Sequence, residues 1–204
     1  MAQEINNRMT KNHEATLKTT ATLLRIARKH FTQYGFAGVS LEKIAEEASV
    51  TRGAVYHHFK NKKGLFLAVL DHVQKDVALH IEEEALKSDD LWQQLILGCL
   101  GFIKGANTDE CRRILLVDAP AVVGWDAWRK ADKENSVSVL QEHIESLKKQ
   151  NYLEKNVDTK LMTYSISGAL NELALNYYSS QEKEDANSTL NITISQMVKG
   201  FKRL

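Results

Sequence analysis

Proline is scarce in this chain, and its scarcity narrows the possible folds more than any other property of the sequence. Proline interrupts helices and glycine weakens them, but the 204 residues include one proline, Pro120, and ten glycines. The good helix formers Ala, Leu, Glu and Lys are abundant throughout. Where apolar residues are periodic, they recur at spacings of three and four, which is typical of amphipathic helices. We therefore expect an all-α fold.

Residues 1–64 predict three helices. The apolar face of the first helix, which ends near Gly35, carries Leu17, Ala21, Leu24, Ala27 and Phe31. Ser40 is placed to cap a short second helix, and Thr51 to cap a third. Two short helices joined by a tight turn form a helix-turn-helix. Its core is expected to contain Phe31, Leu41, Ile44, Ala45, Val50, Val55 and Phe59.

The rest of the chain predicts a long helix from Leu65 to about Lys87, followed by shorter ones. The expected ranges of the shorter helices are 90–105, 108–118, 121–150, 159–179 and 187–203, with Pro120 as a break. The total is about nine helices. We expect a helix-turn-helix domain over 1–64 and a larger helical domain over 65–204.

Charge is divided unevenly between these two domains. Residues 1–64 contain 11 Lys and Arg against 5 Asp and Glu, and the remainder contains 16 against 21. The first domain therefore has a net charge of +6 and the second −5, although the whole chain has only +1. A basic domain suits an anionic partner, and double-stranded DNA is the obvious candidate because neutralised phosphates release counterions. A merely solvated basic surface is the alternative.

The segment FTQYGFAGVSLEKIAEEASVTRGAVYHHFKNKKGLF, residues 31–66, resembles the DNA-binding domain of the TetR family of bacterial repressors. The features that agree are Phe31, Tyr34-Gly35, Ile44-Ala45, Val50, Gly53, Tyr56, Phe59, Lys62-Lys63 and Leu65-Phe66. In addition, residues 114–132, ILLVDAPAVVGWDAWRKAD, are similar to a segment of one subgroup. The resemblance implies a ligand-responsive repressor, with a second domain that dimerises and binds a small molecule of unknown identity.

The third helix is expected to enter the major groove of operator DNA with its first turn toward the bases. Arg52 is the expected base reader, and Gly53 and Ala54 permit close approach. The resemblance places Tyr56 and Lys60 on phosphates. The full predicted DNA-binding set is Ser40, Thr51, Arg52, Gly53, Ala54, Tyr56, His57 and Lys60. Capping alone would equally explain Ser40.

Ligand-binding residues in the second domain are predicted from its large apolar side chains and from polar residues in an apolar helix. The predicted set is Trp92, Phe102, Trp125, Trp128 and Asn171. Ordinary core packing is the alternative for each aromatic residue. No cofactor is expected.

A homodimer is expected to form through the last two helices. Small residues at helical spacing allow another helix to approach closely, and the final helix has an apolar stripe. The predicted interface comprises Ser165, Gly168, Ala169, Glu172, Ile194, Met197 and Phe201. Packing within one subunit is the alternative.

Other classes of protein find less support. The sequence shows no nucleophile with its base, no phosphate-binding glycine loop and no metal-ligand spacing, so neither an enzyme nor a metal site is expected. Without an apolar stretch that could span a bilayer, and with two cysteines that form no disulfide framework, we expect a cytoplasmic protein with no membrane partner. A nucleoid or division factor on the same fold, with the second domain binding protein, is the alternative function.

Overall fold

The computed structural model describes the backbone of residues 2–176 and 183–203, and the side chains of 13–176 and 188–203. Over these ranges the chain forms nine continuous helical runs and no β-strand, which confirms the predicted all-α class. The chain divides into two compact units, Met1–His72 and Val73–Leu204.

The first unit holds three helices and the beginning of a fourth. They are α1 (Ala2–Gly38), α2 (Leu41–Glu47), α3 (Arg52–Phe59) and the start of α4 (Lys62–Ala85). Gly35 breaks the regular path of α1, with φ 64° and ψ 171°, a conformation that glycine adopts without steric cost. The predicted end near Gly35 is therefore a kink, one turn before the end of α1.

The caps of α2 and α3 are those predicted from the sequence. Ser40 Oγ accepts a hydrogen bond from the Lys43 amide at 3.4 Å, and Thr51 Oγ1 accepts one from the Ala54 amide at 3.2 Å. Each cap satisfies a backbone donor that has no partner inside its helix. Local sequence therefore defines where both short helices begin.

The core of the first unit is built around three phenylalanine rings. Phe66 packs edge-on against Phe31 and Phe36, with ring centroids 5.1 and 5.3 Å apart. Because Phe66 lies on α4, the first unit continues past Gly64, where the sequence placed the domain boundary. The predicted core residues are buried except Val50, which is half-buried at the turn between α2 and α3.

The second unit contains the rest of α4 and seven further α-helices. These are α5 (Leu91–Ala106), α6 (Asp109–Cys111), α7 (Ala119–Val123), α8 (Trp125–Asp132), α9 (Ser138–Lys149), α10 (Thr159–Asn176) and α11 (Lys183–Lys199). Two π-helical stretches, Arg112–Asp118 and Lys133–Val137, join α6 to α7 and α8 to α9. α10 packs against α9 and α5, and α11 packs against α5.

Pro120 does not end a helix, although the sequence predicted a helix break there. It is the second residue of α7, directly after the π-helical stretch Arg112–Asp118, and the helical run continues through it to Val123. The break comes instead at Gly124, with φ 87° and ψ 151°. The Gly124 carbonyl then accepts from the Trp128 amide at 3.0 Å and so starts α8.

Candidate functional site

The exposed face of α3 carries most of the residues predicted to contact DNA. The exposed ones are Thr51, Arg52, Gly53, Tyr56, His57 and Lys60. Ala54 and Ser40 are half-buried, and both take part in the capping described above. The predicted residues other than Ser40, which caps α2, therefore lie on α3 or at its two ends.

His58, next to the exposed His57, turns away from this face. Its Nδ1 lies 3.2 Å from the Thr20 hydroxyl of α1, within hydrogen-bonding distance, and the side chain is half-buried. Adjacent positions on a helix point about 100° apart, which accounts for the different surroundings of the two histidines. His58 therefore braces α3 against α1, and His57 remains on the exposed face.

Arg52 is held in place by two neighbours. Its guanidinium lies 2.8 Å from a carboxylate oxygen of Glu42 on α2 and donates a hydrogen bond to the Tyr56 hydroxyl at 3.0 Å. Glu42 in turn accepts a hydrogen bond from Ser40 Oγ at 2.9 Å. Sequence analysis missed Glu42, because an acidic residue in the first turn of a helix is already explained by the helix dipole.

These contacts favour the charged forms of both partners. The pKa of Glu42 is lowered, first by a hydrogen bond from its own backbone N–H, then by Ser40 and Arg52. The pKa of Arg52 is raised by Tyr56 and by Glu42. In the predicted DNA complex Arg52 would exchange this carboxylate for a base edge or a phosphate, so Glu42 would compete with DNA for it.

Replacement of Glu42 by glutamine is expected to raise affinity for random duplex DNA about threefold to tenfold, because it removes a negative charge and a competitor for Arg52. Arg52→Ala is expected to cost about 1–3 kcal/mol of operator binding and to relax preference at one base pair. Fluorescence anisotropy with operator and random duplexes measures both effects. Glu46→Gln, one turn along α2, is the charge control, and an equal gain there would remove any special role for Glu42.

Lys60 lies in an unfavourable backbone conformation just after α3. Its φ of 66° and ψ of −46°, with a 2.8 Å hydrogen bond from the Asn61 amide to the Phe59 carbonyl, form a classic γ-turn. This turn is rare and strained for residues with a Cβ atom. The long cationic side chain of Lys60 is exposed there, next to the residues of α3 that were predicted to contact DNA.

Lys60→Gly is expected to raise the free energy of unfolding by about 1 kcal/mol, because glycine adopts positive φ without the Cβ clash. The same change should weaken binding to all duplexes and reduce the salt slope by about one unit, because a phosphate contact is lost. Urea unfolding and anisotropy at several salt concentrations separate the two effects. Lys63→Gly serves as a comparison, and unchanged DNA affinity for Lys60→Gly would contradict the assignment.

The second unit contains a cavity of about 750 Å³. Most of its wall is apolar, and residues from α4, α5, α9 and α10 contribute to it. Phe102 and Asn171, both predicted to bind ligand, are part of the lining. Three lining residues that the sequence did not single out leave large apolar side chains exposed, namely Leu79, Leu86 and Val139. The volume lies within the range of small-molecule sites.

The three tryptophans predicted to bind ligand do not line this cavity. Trp128 is buried and its indole N–H donates to the Leu115 carbonyl at 3.1 Å, so it is a core residue whose polar group is already hydrogen-bonded. Trp92 is also buried, with the Lys202 ammonium 5.1 Å from its ring centre. Trp125 is 62% exposed and packs on Trp128, with centroids 5.0 Å apart. Helical periodicity identified large apolar faces but not the face that borders the cavity.

Asp132, at the end of α8, is a buried carboxyl in the cavity wall. Its Oδ2 has no hydrogen-bond partner among the described residues, and Arg129 Nη1 lies 3.7 Å away, too far for a hydrogen bond. Burial raises the pKa of Asp132, and Arg129 opposes this only in part. The sequence does not single out Asp132, because it lies among the charged residues Arg129, Lys130, Lys133 and Glu134, where a solvated carboxylate is the ordinary expectation, and the π-helical stretch after it alters the helical register.

Asp132→Asn is expected to raise the free energy of unfolding by about 1–3 kcal/mol at pH 7 to 8, because a buried charge that Arg129 compensates only in part is removed. A raised pKa means that the folded state holds its proton more tightly, so the destabilisation appears as pH rises through the folded pKa. The advantage of the variant should therefore shrink as pH falls toward 3.8, the ordinary value. Urea unfolding of the variant and the wild type at several pH values measures this difference in free energy of unfolding. Glu82→Gln, which removes an exposed carboxylate, is the control. A constant difference across pH would contradict the explanation.

Residues predicted to form the dimer interface fall into two groups. Ser165, Gly168 and Glu172 are exposed along one face of α10, and Ala169 is half-buried beside them. On the last helix and beyond it, Met197 and Phe201 are half-buried, whereas Ile194 is completely buried within the unit. Ile194 thus follows the alternative, packing within one subunit, because its side of α11 faces the core.

A metal-binding cluster and a membrane-spanning helix are both absent from the part of the chain that the structure describes. There, no three His, Cys, Asp or Glu side chains come together as metal ligands. Likewise, no helix within the described ranges combines the length and apolarity needed to cross a membrane. Burial raises the pKa of Cys99, in the cavity wall, to about 12, which keeps that thiol protonated.

Comparison with known proteins connects both units to one family. Residues 23–69 match the model described as "Bacterial regulatory proteins, tetR family", and residues 92–201 match "Tetracyclin repressor-like, C-terminal domain". The chain is 26% identical over 179 residues to the Tn10 TetC protein of Escherichia coli, covering 86% of this chain and 89% of the relative. It is 32% identical over 107 residues to the transcriptional regulator AcrR of Shigella flexneri, covering 52% and 50%.

A solved structure extends the likeness to the fold. A TetR-family regulator from Pectobacterium atrosepticum has a TM-score of 0.74 and 27% identity, and the match covers 94% of this chain and 97% of that one. The family model for the second unit alone spans more than half of the chain. The resemblance seen in residues 31–66 is confirmed, and the chain belongs to the TetR family of DNA-binding transcriptional regulators.

Proposed function

We propose that the chain acts as a homodimeric repressor that binds a palindromic operator and releases it when a small molecule fills the cavity of the second unit. The observation that carries the DNA-binding part is the exposed face of α3, where Arg52, Tyr56 and Lys60 lie around the small residue Gly53. Because Gly53 adds no side-chain bulk, the first turn of α3 can enter a major groove. The donor side chains around it are then placed to contact base edges and phosphates.

The dimer is supported by the exposed face of α10. An added Cβ at Gly168 would meet no atom within 4 Å, so this position is open in the single chain. Leu161, 65% exposed, lies on the same face as Ser165 and Gly168. Small residues beside an exposed apolar side chain suit close packing of a second helix, and a two-fold axis would place two copies of the face together.

Ligand release is supported by the course of α4. This helix contributes Phe66 to the core of the first unit and Leu79 to the cavity wall of the second. A ligand that prefers one position of α4 would favour one spacing between the α3 helices of the two subunits in the dimer. Such coupling is typically about 1–3 kcal/mol, a reduction of operator affinity of about fivefold to 150-fold.

The operator is testable by selecting bound duplexes from random DNA with the full-length protein. The expected result is a palindrome whose half-sites lie about one or more helical turns apart, occupied by a dimer. Binding of strict monomers to unrelated sequences would contradict the proposal. Mapping of bound chromosomal sites separates repression, with few sites beside regulated genes, from the alternative nucleoid role, with many dispersed sites.

Release is testable by measuring operator affinity with and without a cavity ligand, and ligand affinity with and without operator. Thermodynamic coupling must be reciprocal, so both affinities should fall by the same factor. A ligand that occupies the cavity but leaves operator affinity unchanged would contradict release.

A further inference from the structure

The polar groups of the cavity wall differ in how well they are already bonded. His143 Nε2 lies 2.9 Å from the Leu91 carbonyl, and Asn135 Nδ2 donates to the Ala131 carbonyl at 2.8 Å. Asp132, by contrast, is 8% exposed and has an oxygen without a hydrogen bond in the described structure. The cation beside Asp132 is Arg129, whose guanidinium carbon also lies near two indole rings, 5.8 Å from the ring centre of Trp125 and 5.9 Å from that of Trp128.

An incompletely bonded carboxyl in an apolar wall is costly, and it persists at sites where a partner arrives from outside. A donor that reaches Asp132 would supply the missing hydrogen bond, and a cation would also compensate its charge. Hydrogen bonds between charged partners are about twice as strong as neutral ones.

The remaining charges of the lining do not suit an anion. Among the residues around the cavity, the acidic ones are Asp132 and Glu82 and the single Lys or Arg is Lys75, which is exposed. With histidine neutral, the lining therefore has a net charge of −1. An anionic head group would meet like charge at Asp132, whereas an ammonium group would meet opposite charge.

We propose that this cavity binds amphipathic organic amines, with the protonated amine paired to the Asp132 carboxylate and the apolar body lying along Leu79, Phe102 and Leu140. The assignment rests on the proposed function, since it names the chemical class of the ligand that the cavity receives. The apolar body gains from the mostly apolar wall, and the amine determines which end of the ligand reaches α8.

The test compares three probes with the same ten-carbon chain, decylamine, decanol and decanoate, by calorimetry on the full-length protein at neutral pH. Decylamine is expected to bind at least about tenfold more tightly than decanol, and decanoate most weakly. Asp132→Asn should weaken decylamine binding by about tenfold and leave decanol within about twofold, which also verifies the fold. Glu82→Gln, which removes an exposed carboxylate of the same lining, should leave the preference for decylamine in place.

Several outcomes would overturn the assignment. These are equal or tighter binding of decanol or decanoate, an undiminished amine preference in Asp132→Asn, loss of decanol together with decylamine in that variant, and failure of all three probes to bind. Operator affinity measured in the same samples distinguishes this inference from the proposed function. If decylamine binds through Asp132 but does not release operator DNA, the ligand class stands and ligand-controlled repression fails.

Discussion

Replacement of Gly168 by arginine is expected to convert the protein to a monomer and to lower operator affinity at least about a hundredfold. The open space around Gly168 accepts a long side chain within one subunit, so the variant should fold. In the proposed interface the same side chain would stand between two closely packed α10 helices and bring two like charges to the axis. A monomer engages one half-site and loses the advantage of binding both half-sites together.

Light scattering and anisotropy on a palindromic operator measure the two effects, and circular dichroism verifies that helix content is retained. Ala127→Arg is the matched control, because Ala127 is exposed on α8 and the substitution adds the same charge away from α10. A Gly168→Arg protein that remains dimeric would exclude this face of α10 as the interface.

Replacement of Gly64 by alanine is expected to destabilise the first unit by about 3 kcal/mol. An added Cβ would lie 2.0 Å from the Phe59 carbonyl oxygen and 3.2 Å from its carbon, so the backbone itself must move. The γ-turn at Lys60 positions this carbonyl, and the Gly64 amide is fixed by a 2.9 Å hydrogen bond to the Asn61 side chain. Because the backbone is held on both sides of this contact, the clash would force Phe59, the last residue of α3, and Gly64, in α4, apart.

Gly53→Ala is the control in the same unit. Its Cβ would have only Thr51 Oγ1 within 4 Å, at an ordinary 3.7 Å, so stability should hold or rise by about 0.5–1 kcal/mol through helix propensity. DNA affinity should nevertheless fall, because the methyl group would lie where α3 is predicted to approach the bases. Thermal unfolding separates the two variants, and wild-type stability of Gly64→Ala would contradict the steric argument.

The helix-turn-helix could be derived from sequence because its determinants are local. Ser40 and Thr51 cap the helices they were predicted to cap, through amides three residues away. The placement of Arg52 on the exposed face likewise follows from helical periodicity. The pairing of Arg52 with Glu42 did not follow, because it depends on the angle between α2 and α3.

The interruptions between helices in the second unit likewise depend on both local sequence and tertiary structure. Pro120 is a strong helix-breaking signal, but the helical run continues through it, directly after a π-helical stretch. Gly124 turns the chain instead, through a positive φ that glycine permits and that its presence in the sequence does not require.

The all-α class, the capped helix-turn-helix and the basic charge of the first 64 residues could be derived from the amino-acid sequence, because helix caps and apolar periodicity depend on residues a few positions apart and charge depends on composition. Which apolar surfaces form the core and which border a cavity depends on tertiary packing. Trp92 and Trp128 entered the core, while Asp132, inconspicuous in sequence, became a buried carboxyl of the cavity wall. The reason is physical: a cavity is the space left between helices, and its lining depends on how distant segments pack.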